Sequence, residues 1–95
     1  MYYVYLIQND FNGKMYIGYT HDLVSRLKNH NGNGKKYTTS KNGLWQYIYV
    51  ELYRSKTDAL DRERKLKHHA RGKQELLKRL RNSTFKPKTG EGSAA

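Results

Sequence analysis

The chain has 95 residues, and its 19 Lys and Arg against 8 Asp and Glu leave a formal net charge of +11. A chain of this length forms one domain around one modest core, which excludes a multidomain enzyme. The absence of cysteine excludes a disulfide framework, a thiolate zinc site and a cysteine nucleophile, and it favours a cytoplasmic setting. No apolar run approaches the roughly 18 residues of a membrane span and the amino terminus has no basic leader, so we expect neither membrane insertion nor processing.

The first predicted elements are two strands joined as a β-hairpin. Residues 2–7 and 15–19 are rich in aromatic and β-branched side chains, and Asn12-Gly13 between them is a strong hairpin signal. Tyr5 and Tyr16 fall on opposite arms, so a suitable register places the two phenols side by side. Because an unperturbed phenol has a pKa of about 10, either could act as a base only with help from cations or a metal hydroxide.

A short helix is predicted after the hairpin, ending near residue 30. Its apolar positions at helical spacing are Leu23, Val24 and Leu27. Arg26 and His30 are four residues apart and therefore lie on one face. A guanidinium can grip a phosphate and an imidazole can relay a proton near neutral pH. Taken singly, a surface Arg is usually solvated and a lone His is usually structural, so the pair gains meaning only from its neighbours.

A basic loop and a third strand follow this helix. The Asn-Gly repeat at 31–34 ends the helix, and the polar stretch 35–43 is a loop that could touch phosphate through Lys35 and Lys36. Residues 44–53 are predicted as the third strand. Its tyrosines are interpreted as ordinary strand residues: Tyr47, Tyr49 and Tyr53.

Two helices complete the predicted domain. Ser55 and Asp58 form a capping pattern that predicts a helix over 57–70. Gly72 is expected to end this helix, and leucine spacing predicts a last amphipathic helix over 73–82.

The remaining residues, 83–95, are poor in apolar side chains and are predicted to be a disordered tail. The element order strand, strand, helix, strand, helix, helix has no internal repeat. It predicts an α+β domain over residues 1–82, with a small antiparallel sheet packed by helices.

One acid falls on the core-facing stripe of the helix predicted over 57–70. At 100° per residue, Glu63 lies in the middle of the apolar arc. The members of that arc are Ala59, Leu60, Leu66 and Ala70. A buried, unpaired carboxylate is costly, so Glu63 needs a cation, a hydrogen-bond network or a metal. A Glu that reaches the surface and pairs with Arg62 or Lys67 fits the periodicity equally well.

Taken in order, these motifs resemble the GIY-YIG nuclease superfamily. The resemblance is carried by Tyr3-Val4-Tyr5, by Tyr16-Ile17-Gly18, by Arg26 with His30, and by Glu63. It covers residues 2–80 and is closest to the small stand-alone branch whose single domain is similar to the catalytic domain of the excision-repair incision nuclease. It implies a three-stranded antiparallel sheet flanked by helices, in agreement with the element order.

The resemblance also implies roles for these residues. Tyr5 and Tyr16 would line an active site, one of them helping to activate the attacking water, and Gly18 would permit close packing beside it. Which tyrosine is the base stays open. Arg26 would hold the scissile phosphate, and His30 would assist proton transfer.

Glu63 would ligate one divalent cation, Mg²⁺ or Mn²⁺, which suits a hard cation that keeps most of its waters. The opening triplet departs from the name-giving Gly-Ile-Tyr. Members of the family often place a polar residue downstream of the Glu, and Lys73 is the candidate here. The cations considered for nucleic-acid contact are Lys35, Lys36, Lys67, Arg71 and Lys73.

The uneven charge favours nucleic acid as the partner. Residues 51–95 carry a net charge of +7 against +4 for residues 1–50, and each cation that neutralises a phosphate releases a counterion. The leading function is a metal-dependent endonuclease acting on DNA, with RNA not excluded, in repair, recombination or related processing. So small a surface favours structure-selective or weakly sequence-specific cleavage. The alternative is a nucleic-acid-binding module with little or no turnover. No long apolar surface stripe argues for a protein partner or a homodimer, and both stay open.

Overall fold

The computed structural model describes residues 1–32 and 43–86, so the predicted phosphate-binding Lys35 and Lys36 lie outside the described residues. The elements are β1 (Tyr2–Asn9), β2 (Met15–Thr20), α1 (Leu23–His30), β3 (Trp45–Tyr53), α2 (Lys56–His68) and α3 (Ala70–Arg79). The predicted α+β class and element order are confirmed. No helix among the described residues is long and apolar enough to cross a bilayer.

The sheet has the strand order β2-β1-β3, and both pairings are antiparallel. The central strand β1 is buried on both faces, since Val4 to Ile7 are all buried. In the β1–β2 register Tyr5 lies opposite Gly18, and Ile7 lies opposite Tyr16. Because opposed residues share a face of the sheet, this register places both predicted tyrosines on the same side.

The main apolar core lies between the other face of the sheet and the helices α2 and α3. Its fully buried members are Val4, Leu6, Ile17, Ala59, Leu66, Leu76 and Leu80. Two positions of the predicted apolar arc are wrong, because Leu60 is 40% exposed and Ala70 is exposed. Leu60 lies at the solvent side of α2, and Ala70 belongs to α3, where the chain has changed direction.

The break between the last two helices lies at His69, not at Gly72 as predicted. His69 has an extended backbone (φ −116°, ψ 97°), and Gly72 is inside α3. A glycine costs an exposed helix only about 1 kcal/mol, which the burial of Leu76 and Leu80 offsets. The predicted cap at the start of α2 is present, since the Ser55 side chain accepts a hydrogen bond from the N–H of Asp58.

The described chain continues past the predicted domain boundary at residue 82. The buried Gln8 side chain accepts a hydrogen bond from the Phe85 N–H (2.6 Å) and donates one to the Phe85 carbonyl (3.0 Å). Residue 85 is therefore attached to the central strand. The rest of the predicted tail, from residue 87 onward, lies outside the described residues.

Candidate active site

An aromatic and histidine cluster lies on the α1 side of the sheet. The Tyr5 hydroxyl is hydrogen-bonded to Nε2 of His30 at 3.0 Å, across 25 residues of chain. The Tyr16 ring lies 5.1 Å from the His30 ring and 6.5 Å from the Tyr5 ring, centroid to centroid. Tyr5 is buried whereas Tyr16 is 43% exposed, so the cluster opens to solvent at Tyr16.

Gly18 is what allows Tyr5 to occupy this position. A Cβ atom built on Gly18 would overlap the hydroxyl oxygen and the ring of Tyr5. Because the two residues are opposite each other in the β1–β2 ladder, any side chain at position 18 would push the phenol out of the cluster. This close approach is the packing that the sequence assigned to Gly18.

Helix α1 supplies the polar groups of the cluster. Its first turn is capped by Asp22, whose side chain accepts a hydrogen bond from the Ser25 N–H. Arg26 and His30 then follow one turn apart on the face toward Tyr5. The charge of Arg26 acts on Tyr5, on His30 and on the neighbouring Tyr47. Among the described residues no carboxylate forms an ion pair with Arg26, so its guanidinium is available to an anion.

Burial controls the protonation of the cluster. It raises the pKa of Tyr5 to about 12, although the nearby charge of Arg26 acts in the opposite direction. Burial, followed by the charge of Arg26, lowers the pKa of His30 below its ordinary value. At neutral pH the Tyr5 phenol is therefore protonated and the His30 imidazole is neutral. A neutral imidazole can accept a proton.

Glu63 lies near this cluster but is not unpaired. Its carboxylate forms an ion pair with Lys67 at 3.1 Å, one helical turn along α2, and its side chain is 20% exposed. Lys67 Nζ lies 5.4 Å from the centroid of the Tyr16 ring, so this pair borders the open side of the cluster. Of the two predicted cationic partners Lys67 is the one used, because Arg62 instead binds Glu51.

The donor set at Glu63 fits only a weakly held hard cation. No group of three His, Cys, Asp or Glu side chains within the described ranges could hold a metal ion. A single carboxylate beside an open surface suits Mg²⁺ or Mn²⁺, which keep several waters and share phosphate oxygens. A cation held by Glu63 would have to compete with the ammonium group of Lys67.

Two of the other predicted cations belong to α3, which does not build the cluster. Arg71 and Lys73 are both in α3, where Arg71 is exposed and Lys73 is partly buried. Lys67 borders the cluster itself, as the partner of Glu63. The structure thus brings together Tyr5, Tyr16, Arg26 and His30, with Glu63 at their edge.

Three further residues build the site and were not predicted. The Tyr47 ring packs edge-on against Tyr5 at 5.4 Å, and its hydroxyl donates to the Leu23 carbonyl (2.6 Å), which ties α1 to β3. The Trp45 ring lies 6.3 Å from the ring of His30. Asn31 bonds both the N–H and the carbonyl of Trp45 through its side-chain amide. For Tyr47 the sequence showed only that it lies in a strand, and this does not distinguish a tyrosine of the site from a structural one.

An apolar groove of about 570 Å³ runs along the other side of α1. It is lined mainly by Leu23, Val24, Leu27, Leu44 and Tyr47. The sequence showed no such apolar surface, because its members come from α1 and from the start of β3. Apart from Lys28 and the phenol of Tyr47 the groove has no titratable group, so it lacks the chemistry of the Tyr5–His30 cluster.

A comparison with protein-family models identifies the family of the chain. The model of the GIY-YIG catalytic domain matches residues 1–80. The chain belongs to the GIY-YIG family, a membership that implies a nuclease domain with DNA as its substrate.

Particular relatives are small proteins of one group. UPF0213 proteins of Staphylococcus aureus strains Mu3 and N315 are 36% identical over 73 residues, covering 76% of this chain and 87% of theirs. The solution NMR structure of the UPF0213 protein BH0048 from Bacillus halodurans is 35% identical, covers 84% of this chain and 85% of that one, and has a TM-score of 0.49. The name UPF0213 specifies neither a substrate nor a metal.

Proposed function

We propose that this protein is a metal-dependent endonuclease that hydrolyses phosphodiester bonds in DNA. The observation that carries the proposal is the Tyr5–His30 hydrogen bond of 3.0 Å beside an Arg26 that no described carboxylate neutralises. A proton acceptor and a phosphate-binding cation are thereby held within one cluster. The exposed Tyr16 leaves this cluster open to a large substrate.

The Tyr5–His30 pair relays a proton from the attacking water. A phenol with a pKa of about 12 is not a phenolate at neutral pH, so Tyr5 does not act as a preformed base. Tyr5 instead accepts the proton of the water while it donates its own to Nε2 of His30. The water oxygen bonds to phosphorus as the bond to the leaving strand oxygen breaks. That oxygen leaves with the bonding electron pair and takes a proton from solvent, while the relayed proton remains on His30.

Arg26 holds the scissile phosphate and stabilises the negative charge that develops on its oxygens. Glu63 would hold the divalent cation at the open edge of the cluster, in place of its ion pair with Lys67. That cation, when bound, supplies further neutralisation of the phosphate charge. Tyr16, the exposed ring of the cluster, orients the phosphate or the water.

The small size of the domain supports structure-selective or weakly sequence-specific cleavage. Base readout needs several side chains on an element that enters a groove, and each specific interface buries about 1,000 Å² or more. The aromatic cluster offers one phosphate-binding side chain, Arg26. We propose DNA repair, recombination or related processing as its role and the cytoplasm as its location, with RNA as a further substrate to be tested.

The test is cleavage of a labelled panel of duplex, single-stranded, flap and branched DNA and of RNA, with Mg²⁺, Mn²⁺ or a chelator. The parent chain is compared with Glu63→Gln. Asp61→Asn is the matched control, because Asp61 is an exposed acid on the same helix with its own ion pairs. We expect cleavage that requires the metal, disappears in Glu63→Gln and persists in Asp61→Asn.

Two outcomes would contradict the proposal. Binding without cleavage across the panel, for parent and variants alike, would favour a non-catalytic nucleic-acid-binding module. Loss of folding in Glu63→Gln, seen as a lower Tm with unchanged binding and cleavage below that Tm, would make Glu63 a structural residue.

A further inference from the structure

A second cationic cavity lies between α2 and α3, away from the aromatic cluster. Its volume is about 470 Å³. The residues that matter for its chemistry are Arg62, Lys65, His69, Arg71, Gly72 and Glu75. Two helices and the residue that joins them thus supply four basic side chains against one acid.

The ion pairs leave this cavity with positive charge to spare. Arg62 is bound to Glu51, and Lys65 is bound to Asp61 at 3.0 Å. Arg71 forms no ion pair with any described residue. The one acid of the lining, Glu75, is paired with Lys78 at 3.6 Å, outside the cavity. The cavity therefore favours an anion.

Gly72 is the part of the cavity lining that has no side chain. It lies inside α3 and is not among the glycines with positive φ, so its backbone conformation is open to any residue. A Cβ atom built on it would meet no atom within 4 Å. A helical glycine lowers stability relative to alanine, and neither packing nor backbone geometry within the described chain requires this one. Its bare surface widens the cavity.

The cavity and the cluster lie toward opposite edges of the sheet. Arg62 reaches Glu51 on β3, whereas Lys67 reaches Tyr16 on β2, and these strands are the two edges of the sheet. A nucleic acid that spans the sheet from β2 to β3 could contact both.

We propose that this cavity binds a phosphodiester group of the nucleic-acid substrate other than the phosphate held at the cluster. The inference rests on the proposed function for the identity of its ligand. Arg71 contacts the phosphate oxygens, and the missing side chain of Gly72 lets the nucleic-acid backbone approach α3.

The first test measures the affinity for a fluorescently labelled DNA by anisotropy, in the presence of a chelator so that no cleavage occurs. Arg71→Gln is compared with Lys14→Gln, which removes one positive charge at the hairpin from a residue that does not line the cavity. We expect Arg71→Gln to raise Kd about tenfold at low salt and to reduce the slope of log Kd against log salt by about one. Lys14→Gln should change both much less.

The second test uses Gly72→Ala, with the exposed Gln74→Ala on the same helix as its control. We expect Gly72→Ala to raise Tm by about 4 °C, because alanine stabilises a helix, and at the same time to weaken DNA binding. Gln74→Ala should leave affinity unchanged. A gain in stability together with a loss of affinity is not produced by unfolding.

Three results would overturn the inference. The first is an equal loss of affinity in Arg71→Gln and Lys14→Gln. The second is a Gly72→Ala variant that is more stable than the parent but binds DNA equally well. The third is a rise in Tm on addition of inorganic phosphate alone that Arg71→Gln abolishes, while the DNA affinity of that variant equals that of the parent. The outcome is separable from the proposed function. If binding depends on Arg71 but no DNA is cleaved, the cavity binds nucleic acid and the proposed nuclease activity is rejected. If DNA is cleaved but binding does not depend on Arg71, the nuclease activity stands and the phosphate site in the cavity is rejected.

Discussion

Three residues from separate parts of the chain decide the chemistry of the cluster. Gly18 leaves the space that the Tyr5 ring fills, and Tyr5 in turn positions the imidazole of His30 through one hydrogen bond. Burial then sets the protonation of both, because a charged form is disfavoured where water is excluded. The pair is neutral at pH 7 and can pass one proton in either direction.

This leads to a pH profile that depends on His30. Its pKa lies below the ordinary 6.5, so the cleavage rate should be flat above about pH 7 and fall only as the pH drops through the lowered value. His30→Gln should be slow at every pH and should lack this acidic limb. Tyr5, with a pKa of about 12, should add no alkaline limb below about pH 10. The measurement is the single-turnover rate between pH 5 and 10.

The same shift affects folding, and its sign follows from linkage. Because the charged imidazole is disfavoured in the folded state, the unfolded chain binds more protons between the lowered pKa and 6.5. Stability due to His30 is therefore present above pH 6.5 and is lost as the pH falls. Urea unfolding of the parent and of His30→Gln should diverge over that interval. Parallel stability curves, or a parent profile that stays flat down to pH 5, would refute this account.

At the scale of the elements, one polar network attaches α2 to β3. The Arg62 guanidinium donates hydrogen bonds to both carboxylate oxygens of Glu51, and the hydroxyls of Tyr49 and Tyr53 donate to the same carboxylate at 2.6 Å each. Burial acts to raise the pKa of Glu51, but these hydrogen bonds outweigh it and hold the pKa below its ordinary value. Since Glu63 follows Arg62 directly, the network also positions α2 beside the cluster.

A double-mutant cycle measures this attachment. Glu51→Gln should lower the free energy of unfolding by about 1–3 kcal/mol, because it leaves the half-buried Arg62 without its partner. The double variant Glu51→Gln with Arg62→Met should lose less free energy of unfolding than the two single variants lose in sum. The exposed pair Asp61 and Arg64 is the control, with an expected coupling below about 0.5 kcal/mol. Urea unfolding at pH 7 provides all four values.

The pH dependence of this cycle gives a further check. Glu51 stabilises the fold above its unfolded pKa, and this contribution is lost as the pH falls through the lowered folded value. The coupling with Arg62 should therefore be present at pH 7 and diminish in acid. If the losses of unfolding free energy in the two single variants add up at pH 7, or if their coupling energy equals that of the exposed pair, the network does not hold α2 in place.

At the scale of the whole molecule, the central strand joins all the layers. One face of β1 packs on the α2–α3 core and the other carries the cluster with α1. At the end of this strand Gln8 bonds the Phe85 backbone and the Gly13 carbonyl, so it connects the carboxyl-terminal turn to the hairpin. A domain with so small a core depends on such connections, because each buried polar group needs its partners.

Shortening the chain tests this connection. A chain that ends at Lys86 should be more stable than one that ends at Asn82 by about 1–2 kcal/mol, because the shorter chain leaves the buried Gln8 amide without Phe85. Gln8→Met should destabilise the longer chain more than the shorter one. Equal urea midpoints for the two chains would show that the bonds to residue 85 contribute nothing to stability.

The sequence by itself was sufficient for the type and order of the elements, and the family resemblance it carries singled out Tyr5, Tyr16, Arg26 and His30. The hairpin at Asn12-Gly13 and the periodicity of the helices depend on neighbouring residues, so they are visible in a linear pattern. Failures occurred where a local signal competed with packing. Glycine is a strong signal for the end of a helix, yet Gly72 is helical because the leucines that follow it are buried in the core. The preceding helix ends instead at His69, whose backbone is extended.

Only the tertiary structure decided which side chains contact one another. Periodicity placed Glu63 on the inner stripe but could not choose between Arg62 and Lys67, because the choice depends on Glu51, an acid eleven residues from Arg62 on another element. Trp45 and Tyr47 join the cluster because a β-bulge and the antiparallel register carry them beside α1. Contacts across many residues depend on register, helix direction and the space left by small residues, and no local pattern contains these quantities.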